Sequence, residues 1–276
     1  MNVFELVKTV LDEQYSSIQD ENKDQVVPTV LQKLSDRYKN LAEINLVTYK
    51  KPLTRFAYVY RYVTSHSNLV YVRMCNSKPL RQLFKQPSVT VSCIGGGPGS
   101  DLLGILKYIS ELEEAPKVRC HLLDGENGWA DAWSAVDEKL EGDSKISTYF
   151  EQMDVTNPES WNAHSKYLKA DLFTMIYFGS EIYCRREQAS DFFDNVLSNM
   201  KPGALLLYID NNDSRFTGWF DGLAKKHGLE IADGDELVVG MPYDEEKTVL
   251  GEYLVKFGPV KLDANVAWRV YRKHMS

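Results

Sequence analysis

Ser88-Val-Thr-Val-Ser-Cys-Ile94 runs straight into Gly95-Gly-Gly-Pro-Gly99 and then into Asp101-Leu-Leu-Gly-Ile-Leu106. A β-rich run that ends in glycines and opens onto a helical pattern reads as a strand–turn–helix unit. Glycine lets the backbone bend sharply and approach a ligand with no Cβ in the way. The helix that follows offers unpaired N–H groups and the positive end of its dipole. Such a turn can hold a pyrophosphate or the carboxylate of an amino-acid-like ligand.

Outward from this unit the texture repeats. Strands are expected at Lys117–Leu123, Ile146–Gln152, Asp171–Phe178 and Ala204–Ile209. Helices are expected at Asp101–Leu112, Gly128–Leu140, Pro158–Leu168 and Glu187–Met200. Alternating strands and helices call for a parallel sheet covered on both faces, joined by right-handed crossovers. A helix over Phe216–Lys226, a short strand Glu236–Gly240, a helix near Glu245–Phe257 and a last strand Ala264–Arg272 complete the α/β unit. Upstream, residues 2–40 have helical spacing, and residues 78–85 look helical too. The aromatic stretch 53–74 fits both strand alternation (Tyr58, Tyr60, Tyr62) and a helix face (Phe56, Val59, Tyr60, Val63); we read it as helix. The chain thus divides into an N-terminal helical cap or substrate segment, 1–87, and a ligand-binding domain, 88–276.

The 276 residues include 43% hydrophobic and 26% charged residues, enough for a packed core. Apolar runs are too short to span a bilayer, and the acid at Glu5 does not suit a signal peptide. The four cysteines (Cys75, Cys93, Cys120, Cys184) form no CxxC pair, which disfavours zinc or a disulfide framework. At least three are read as small buried hydrophobes. A cytoplasmic or nuclear protein without membrane or metal partners is expected, its oligomeric state left open. A net charge of −7, with dispersed basic residues, does not advertise a nucleic-acid partner.

Two further acids extend the turn. Asp124 ends the second strand, where a carboxylate can accept from both hydroxyls of a ribose. Asp154 lies just past the third strand, where it can bind an adenine amino group while Val155 offers its backbone N–H. Alternatively, each is a helix cap or a loop acid. Together, at the ends of successive parallel strands, they suit an adenosine ligand.

The series Ile94-Gly-Gly-Gly-Pro-Gly99, Asp124, Asp154 and Asp171-Leu-Phe-Thr-Met-Ile-Tyr-Phe178 resembles motifs I to IV of the class I S-adenosylmethionine-dependent methyltransferases, over about Ser88 to Arg272. The resemblance implies a seven-stranded, mostly parallel Rossmann-like sheet with its last strand antiparallel, and S-adenosyl-L-methionine as cofactor. It places the cofactor against Gly95, Gly96, Gly97, Gly99, Asp124, Gly125, Asp154, Val155 and Phe178. The family often has an acid two residues before the first glycine; Cys93 stands there, and Asp101 is expected to compensate in part. A narrower similarity, carried by Gly95–Gly104, Phe173–Ile182, Pro202-Gly203, Tyr208-Ile-Asp210 and Trp268-Arg269, is to a eukaryotic group that includes fungal ribosomal-RNA uridine N3-methyltransferases.

The residues after the fourth strand, Phe178-Gly-Ser-Glu-Ile-Tyr183, are expected to face the methyl group. They lack an Asn/Asp-Pro-Pro-Tyr/Phe pattern, which weakens adenine N6 as acceptor, and no cysteine there is placed for attack on a pyrimidine. Glu181 is the candidate for positioning or deprotonating the acceptor, against the reading of a helix-start acid. Asp210 is the second catalytic candidate. Ser180, Asn211 and Tyr60 are candidates to line the acceptor pocket, with Tyr58, Tyr62 and His66 near it. The acceptor is RNA or a small molecule. A nicotinamide-dependent oxidoreductase shares the glycine turn and ribose acid, and a non-catalytic cofactor-binding sensor shares the whole cleft. No metal-ligand spacing and no P-loop lysine support other chemistry.

Overall fold

The computed structural model describes residues 1–42, 47–140, 146–240 and 247–274. Helices α1 (Val3–Ser17), α2 (Lys23–Tyr38), α3 (Pro52–Tyr58), α4 (Thr64–Asn76) and α5 (Lys78–Leu83) precede the sheet. A π-helical turn, Val59–Val63, joins α3 to α4. The strands are β1 (Ser88–Ile94), β2 (Lys117–Asp124), β3 (Ile146–Gln152), β4 (Leu172–Ile176), β5 (Leu205–Asn211), β6 (Leu229–Gly240) and β7 (Asp263–Lys273). Between them lie α6 (Ser100–Ile109), α7 (Trp129–Lys139), α8 (Pro158–Asn162), α9 (Phe178–Ile182), α10 (Ser190–Asn199), α11 (Ser214–Lys226) and α12 (Glu252–Phe257).

The seven strands pair in the order β3-β2-β1-β4-β5-β7-β6. Pairing is parallel from β3 through β5, and β7 runs antiparallel to both β5 and β6. This is the α/β, Rossmann-like sheet expected, with its last strand reversed. The chain leaves β1 towards β2 on one side and later enters β4 on the other. The carboxyl ends of β1 and β4 therefore bound the crevice where open α/β sheets take their ligands.

Two hydrophobic clusters mark the two faces. One joins β1, β2, α6 and α7 to Phe4, Val7, Phe56, Val63 and Val70 of the N-terminal helices and to Tyr253 and Phe257 of α12. The other packs Phe173, Met175, Leu206 and Tyr208 against Phe192, Phe193 and Val196 of α10 and Phe220 of α11. Residues 1–87 share their core with the sheet. Gly104 on α6 makes the closest approach possible: a Cβ there would lie 2.3 Å from the Ser67 carbonyl oxygen of α4.

Several boundaries differ from expectation. The helical spacing over 2–40 is two helices, split at residues 18–22. Pro158–Leu168 holds a five-residue helix and a 3₁₀ turn, because the polar stretch 162–166 presents no apolar stripe. β4 stops at Ile176, and Phe178 starts α9. The strand expected at Glu236–Gly240 extends over twelve residues, with a register shift between Ile231 and Asp233. Its charged, mostly exposed sequence hides an edge strand that β7 holds along its whole length. Residues 245–246 of the expected helix near Glu245–Phe257 lie outside the described residues; beyond them come a 3₁₀ turn and α12. Two cysteines, Cys93 and Cys120, are buried, whereas Cys75 and Cys184 are half-buried.

Candidate active site

The glycine turn forms as its composition requires. Gly95, Gly97 and Gly99 have φ of 65°, 49° and 87°. A Cβ on Gly95 would lie 2.1 Å from the Phe178 ring, whereas one on Gly97 would meet nothing closer than 3.9 Å. Gly95 and Gly97 line a cleft of about 410 Å³ together with Asp124, Gly125, Asp154, Val155 and Phe178. Gly96 and Gly99 do not line it. The Gly96 N–H donates to the Leu123 carbonyl (3.1 Å), and Gly99 sits against Trp133. Trp133 packs on the sheet and donates to Thr148 Oγ1 (2.9 Å), while its neighbour one turn back, Trp129, walls the cleft.

Asp124 receives the Gly97 N–H on Oδ2 (3.0 Å) and the Glu126 N–H on Oδ1 (2.9 Å). Each oxygen keeps one further lone-pair direction, the number two vicinal hydroxyls need. Burial pushes its pKa up to about 6, held back by those two N–H groups. Asp154 uses Oδ1 for the Thr156 N–H and hydroxyl (2.9 and 2.7 Å); its Oδ2 accepts from no described residue. Glu126 and Glu181 also line the cleft, so four carboxylates face Lys50 and Arg185.

Asp101 lies elsewhere. Its carboxylate is buried under β4, where the Thr174 hydroxyl donates to it. It occupies the neighbourhood of the position that Cys93 leaves without an acid, but as a brace between α6 and β4 and not as a wall of the cleft. Burial raises its pKa to about 7.

A second cavity of about 300 Å³ meets the cleft at Tyr177 and Glu181. Ser180 and Asn211 line it, with Tyr38, Tyr62, His66, Arg61 and Lys261. Tyr177 has φ of 58°, the one positive φ among the described non-glycine residues. Its ring stacks on His66 with centroids 4.3 Å apart. Burial holds the His66 pKa well below the usual histidine value, with Lys261 adding to the effect, so the ring is neutral.

Glu181 stands at the junction. Its Oε1 lies 2.9 Å from the Tyr49 hydroxyl and 3.1 Å from that of Tyr38, and the two hydroxyls touch each other. Burial raises the Glu181 pKa to about 7 against these hydrogen bonds, with help from Asp124 and Asp210. A carboxyl poised near neutrality and supported by two phenols can hold or release a proton.

Two expectations need correction. Asp210 lines neither cavity: it is fully buried, accepting the Ser180 N–H on Oδ2 (2.7 Å) and the Asn211 N–H on Oδ1 (2.8 Å). It positions Ser180 and Asn211 and does not reach either cavity. Tyr60 points away as well, donating to the Gly258 carbonyl and packing on Phe257. Helical spacing separates these tyrosines. Tyr58 lines the cleft, Tyr62 lines the second cavity, and Tyr60 between them is driven into the core. Sequence reasoning missed Tyr38, Tyr49, Tyr177 and Lys261. The first two carry no motif, and nothing around Tyr177 announces a left-handed residue.

No protein-family model matches the chain, and no curated protein does. Solved structures match it at the level of fold. A candidate RNA methyltransferase from Pyrococcus horikoshii aligns at TM-score 0.49 and 13% identity over 87% of this chain and 99% of its own. The [4+2]-cyclase SpnF gives 0.48 and 12% over 91% and 95%. A candidate sarcosine dimethylglycine methyltransferase from Galdieria sulphuraria gives 0.47 and 12% over 89% and 99%. At these levels they leave the reaction to be argued from the cleft itself. None of these comparisons bears on the narrower resemblance to ribosomal-RNA uridine N3-methyltransferases.

Proposed function

We propose that the protein is an S-adenosylmethionine-dependent methyltransferase. The observation that carries this reading is the charge of the glycine-turn cleft: Asp124, Glu126, Asp154 and Glu181 outnumber Lys50 and Arg185. A dinucleotide would bring a pyrophosphate into that field, where like charges cost free energy. An adenosyl amino acid with sulfonium and ammonium charges gains from it. The same balance argues against the oxidoreductase reading.

The residues fit the cofactor. Gly97 leaves the backbone bare for its amino-acid end, Gly95 lets the Phe178 ring close on the turn, Asp124 has a lone pair on each oxygen for the ribose hydroxyls, and Asp154 Oδ2 is open to an adenine amine. The cleft volume falls within the ~300–1,000 Å³ of small-molecule sites. When bound, the cofactor supplies an electrophilic methyl: the acceptor's lone pair makes the new bond to carbon, the carbon–sulfur pair stays on sulfur, and the acceptor sheds a proton. Glu181, at the wall shared by the two cavities, is the residue to receive that proton. Tyr38 and Tyr49 hold its ionised form, and Tyr58 of α3 and Trp129 of α7 wall the cleft and exclude water.

Calorimetric titration with S-adenosylhomocysteine and with NAD tests the reading directly. Binding of the first without the second is expected; NAD binding alone overturns it. Asp124→Ala is expected to weaken S-adenosylhomocysteine by roughly ten- to a hundredfold, the worth of one charge-assisted hydrogen bond. Unchanged affinity in the folded variant would take Asp124 out of the site.

A further inference from the structure

The second cavity has a polarity of its own. At the wall it shares with the cleft stands Glu181, and elsewhere on its lining stand Lys261 and Arg61. Lys261 Nζ lies 4.9 Å from the centre of the Tyr177 ring and 5.8 Å from that of Tyr62. Among the described residues no carboxylate comes within ion-pairing distance of it. Asp210 and Asp263 act on it only at longer range, and burial together with the Arg61 charge pushes its pKa down. Its backbone N–H is fixed to the Arg61 carbonyl (2.9 Å), and the Arg61 guanidinium is tied to the Pro259 carbonyl. The segment is thus anchored at the cavity with an ammonium that faces rings and has no anion. A half-buried cation in that state is costly, and an anionic ligand relieves the cost.

We propose that the methyl acceptor is a small aromatic acid whose carboxylate is held by Lys261 and whose hydroxyl or amine is presented to Glu181. This rests on the methyltransferase reading and names the substrate class of the same site. The rings of Tyr62, His66 and Tyr177 supply flat apolar walls for an aromatic ring. The ~300 Å³ volume lies at the low end of ligand sites and suits one or two fused rings. Orientation follows from charge. The acceptor's carboxylate is repelled by Glu181 and by the acidic cleft behind it, and attracted by Lys261. The opposite, protic end therefore turns to the cleft, where its oxygen or nitrogen loses a proton to the Glu181 carboxylate as it takes the methyl. A polynucleotide is disfavoured, because a chain of net charge −7 works against a phosphate backbone.

Saturation-transfer NMR on protein saturated with S-adenosylhomocysteine tests this with a fixed probe set. The probes are 4-hydroxybenzoate, anthranilate and 4-hydroxyquinoline-2-carboxylate, each beside its neutral amide. At least one acid is expected to bind, roughly tenfold or more tighter than its amide. Lys261→Met is expected to abolish that preference, weakening the acid by roughly ten- to a hundredfold, and Lys261→Arg to keep it. S-adenosylhomocysteine binding should be the same in all three proteins. Equal binding of acids and amides overturns the proposal, and so does binding that survives Lys261→Met. The acid–amide contrast in the unmodified protein decides even if the variants fail to fold. Failure of every acid, or binding of a twelve-residue single-stranded RNA in their place, overturns the acceptor class while cofactor binding keeps the methyltransferase reading standing. Loss of cofactor binding itself removes both.

Discussion

At the ends of β1 and β4 the backbone takes the same left-handed turn with opposite residues. After β1 the positive φ angles fall on Gly95, Gly97 and Gly99; after β4 the positive φ falls on Tyr177. A left-handed conformation costs an L side chain ~1–2 kcal/mol and costs glycine almost nothing. Side chains are absent where the turn bends under the Phe178 ring and lines the cleft, and one is kept where a ring walls two cavities at once. Tyr177 meets that strain with packing, stacked on His66 and lined up under Lys261. Strain held by its surroundings is a mark of a functional position.

Gly95→Ala tries to break this contrast by giving the β1 turn a side chain, and it carries the largest expected effect. Its Cβ would lie 2.1 Å from the Phe178 ring at a φ of 65°, so both the ring and the turn must shift. Stability is expected to fall by ~2–4 kcal/mol, and S-adenosylhomocysteine affinity by roughly a hundredfold or more. Thermal melting and calorimetry read the two. A folded variant with native affinity would mean that this turn does not face the ligand.

Asp101 and Thr174 brace α6, which follows the β1 turn, to β4, whose end carries the other, and their hydrogen bond has a pH signature. Burial raises the Asp101 pKa to about 7, so the native state holds its proton more tightly than the unfolded chain does. Its contribution to stability is present below about pH 4 and is lost as pH rises towards 7. Asparagine does not titrate. Relative to wild type, Asp101→Asn should therefore gain stability from pH 5 to pH 8, by at most about 3 kcal/mol. A difference in melting temperature that stays constant across that range would show Asp101 ionised throughout.

The two turns were unequally legible in the sequence. The β1 side could be read because each requirement selects a residue type: glycines for the turn, an acid for the cleft at the end of the second strand, a β-branched run for a buried strand. Ser88–Ile94 and Ile146–Gln152 match the observed strands end for end. The β4 side could not be read this way. Tyr177 looks like the next residue of an apolar strand, since a left-handed tyrosine leaves no trace in composition. The second cavity is assembled from Tyr38, Tyr62 and Lys261, far apart in the chain and brought together by packing alone. Tyr60 shares a helical face with Phe56 and Val63, and that face is the core, whereas Tyr58 and Tyr62, four residues apart on the opposite face, reach the cavities. Asp210 ends its strand as a ligand-facing acid would, yet two backbone N–H groups hold its carboxylate inside.

The acids at the ends of β2 and beside β4 separate the two cavities by pH. Asp124 is raised to about 6 and Glu181 to about 7, both chiefly by burial. S-adenosylhomocysteine, which carries no sulfonium charge, should gain affinity from pH 5 to 6 as Asp124 ionises, by at most about tenfold, and level off above. S-adenosylmethionine should keep gaining through pH 7 as Glu181 ionises beside it. Calorimetry of both ligands from pH 5 to 8 checks this, with Asp124→Asn expected to flatten the lower rise. Parallel curves for the two ligands would place Glu181 too far from the sulfur to matter.

The smallest expected effect asks what the β4 turn keeps its tyrosine for. The Tyr177 hydroxyl is buried and finds no hydrogen-bond partner among the described residues, while its ring stacks on His66 and walls both cavities. An unsatisfied buried hydroxyl is a cost, and packing is a gain, so the ring and not the oxygen accounts for the residue. Tyr177→Phe keeps the ring and the left-handed backbone and deletes only the orphaned oxygen. Thermal stability should be unchanged or raised by up to about 1 kcal/mol, and S-adenosylhomocysteine affinity should hold. A loss greater than 1 kcal/mol would give the hydroxyl a partner in solution, and the turn would then hold its tyrosine for a hydrogen bond as well as for a wall.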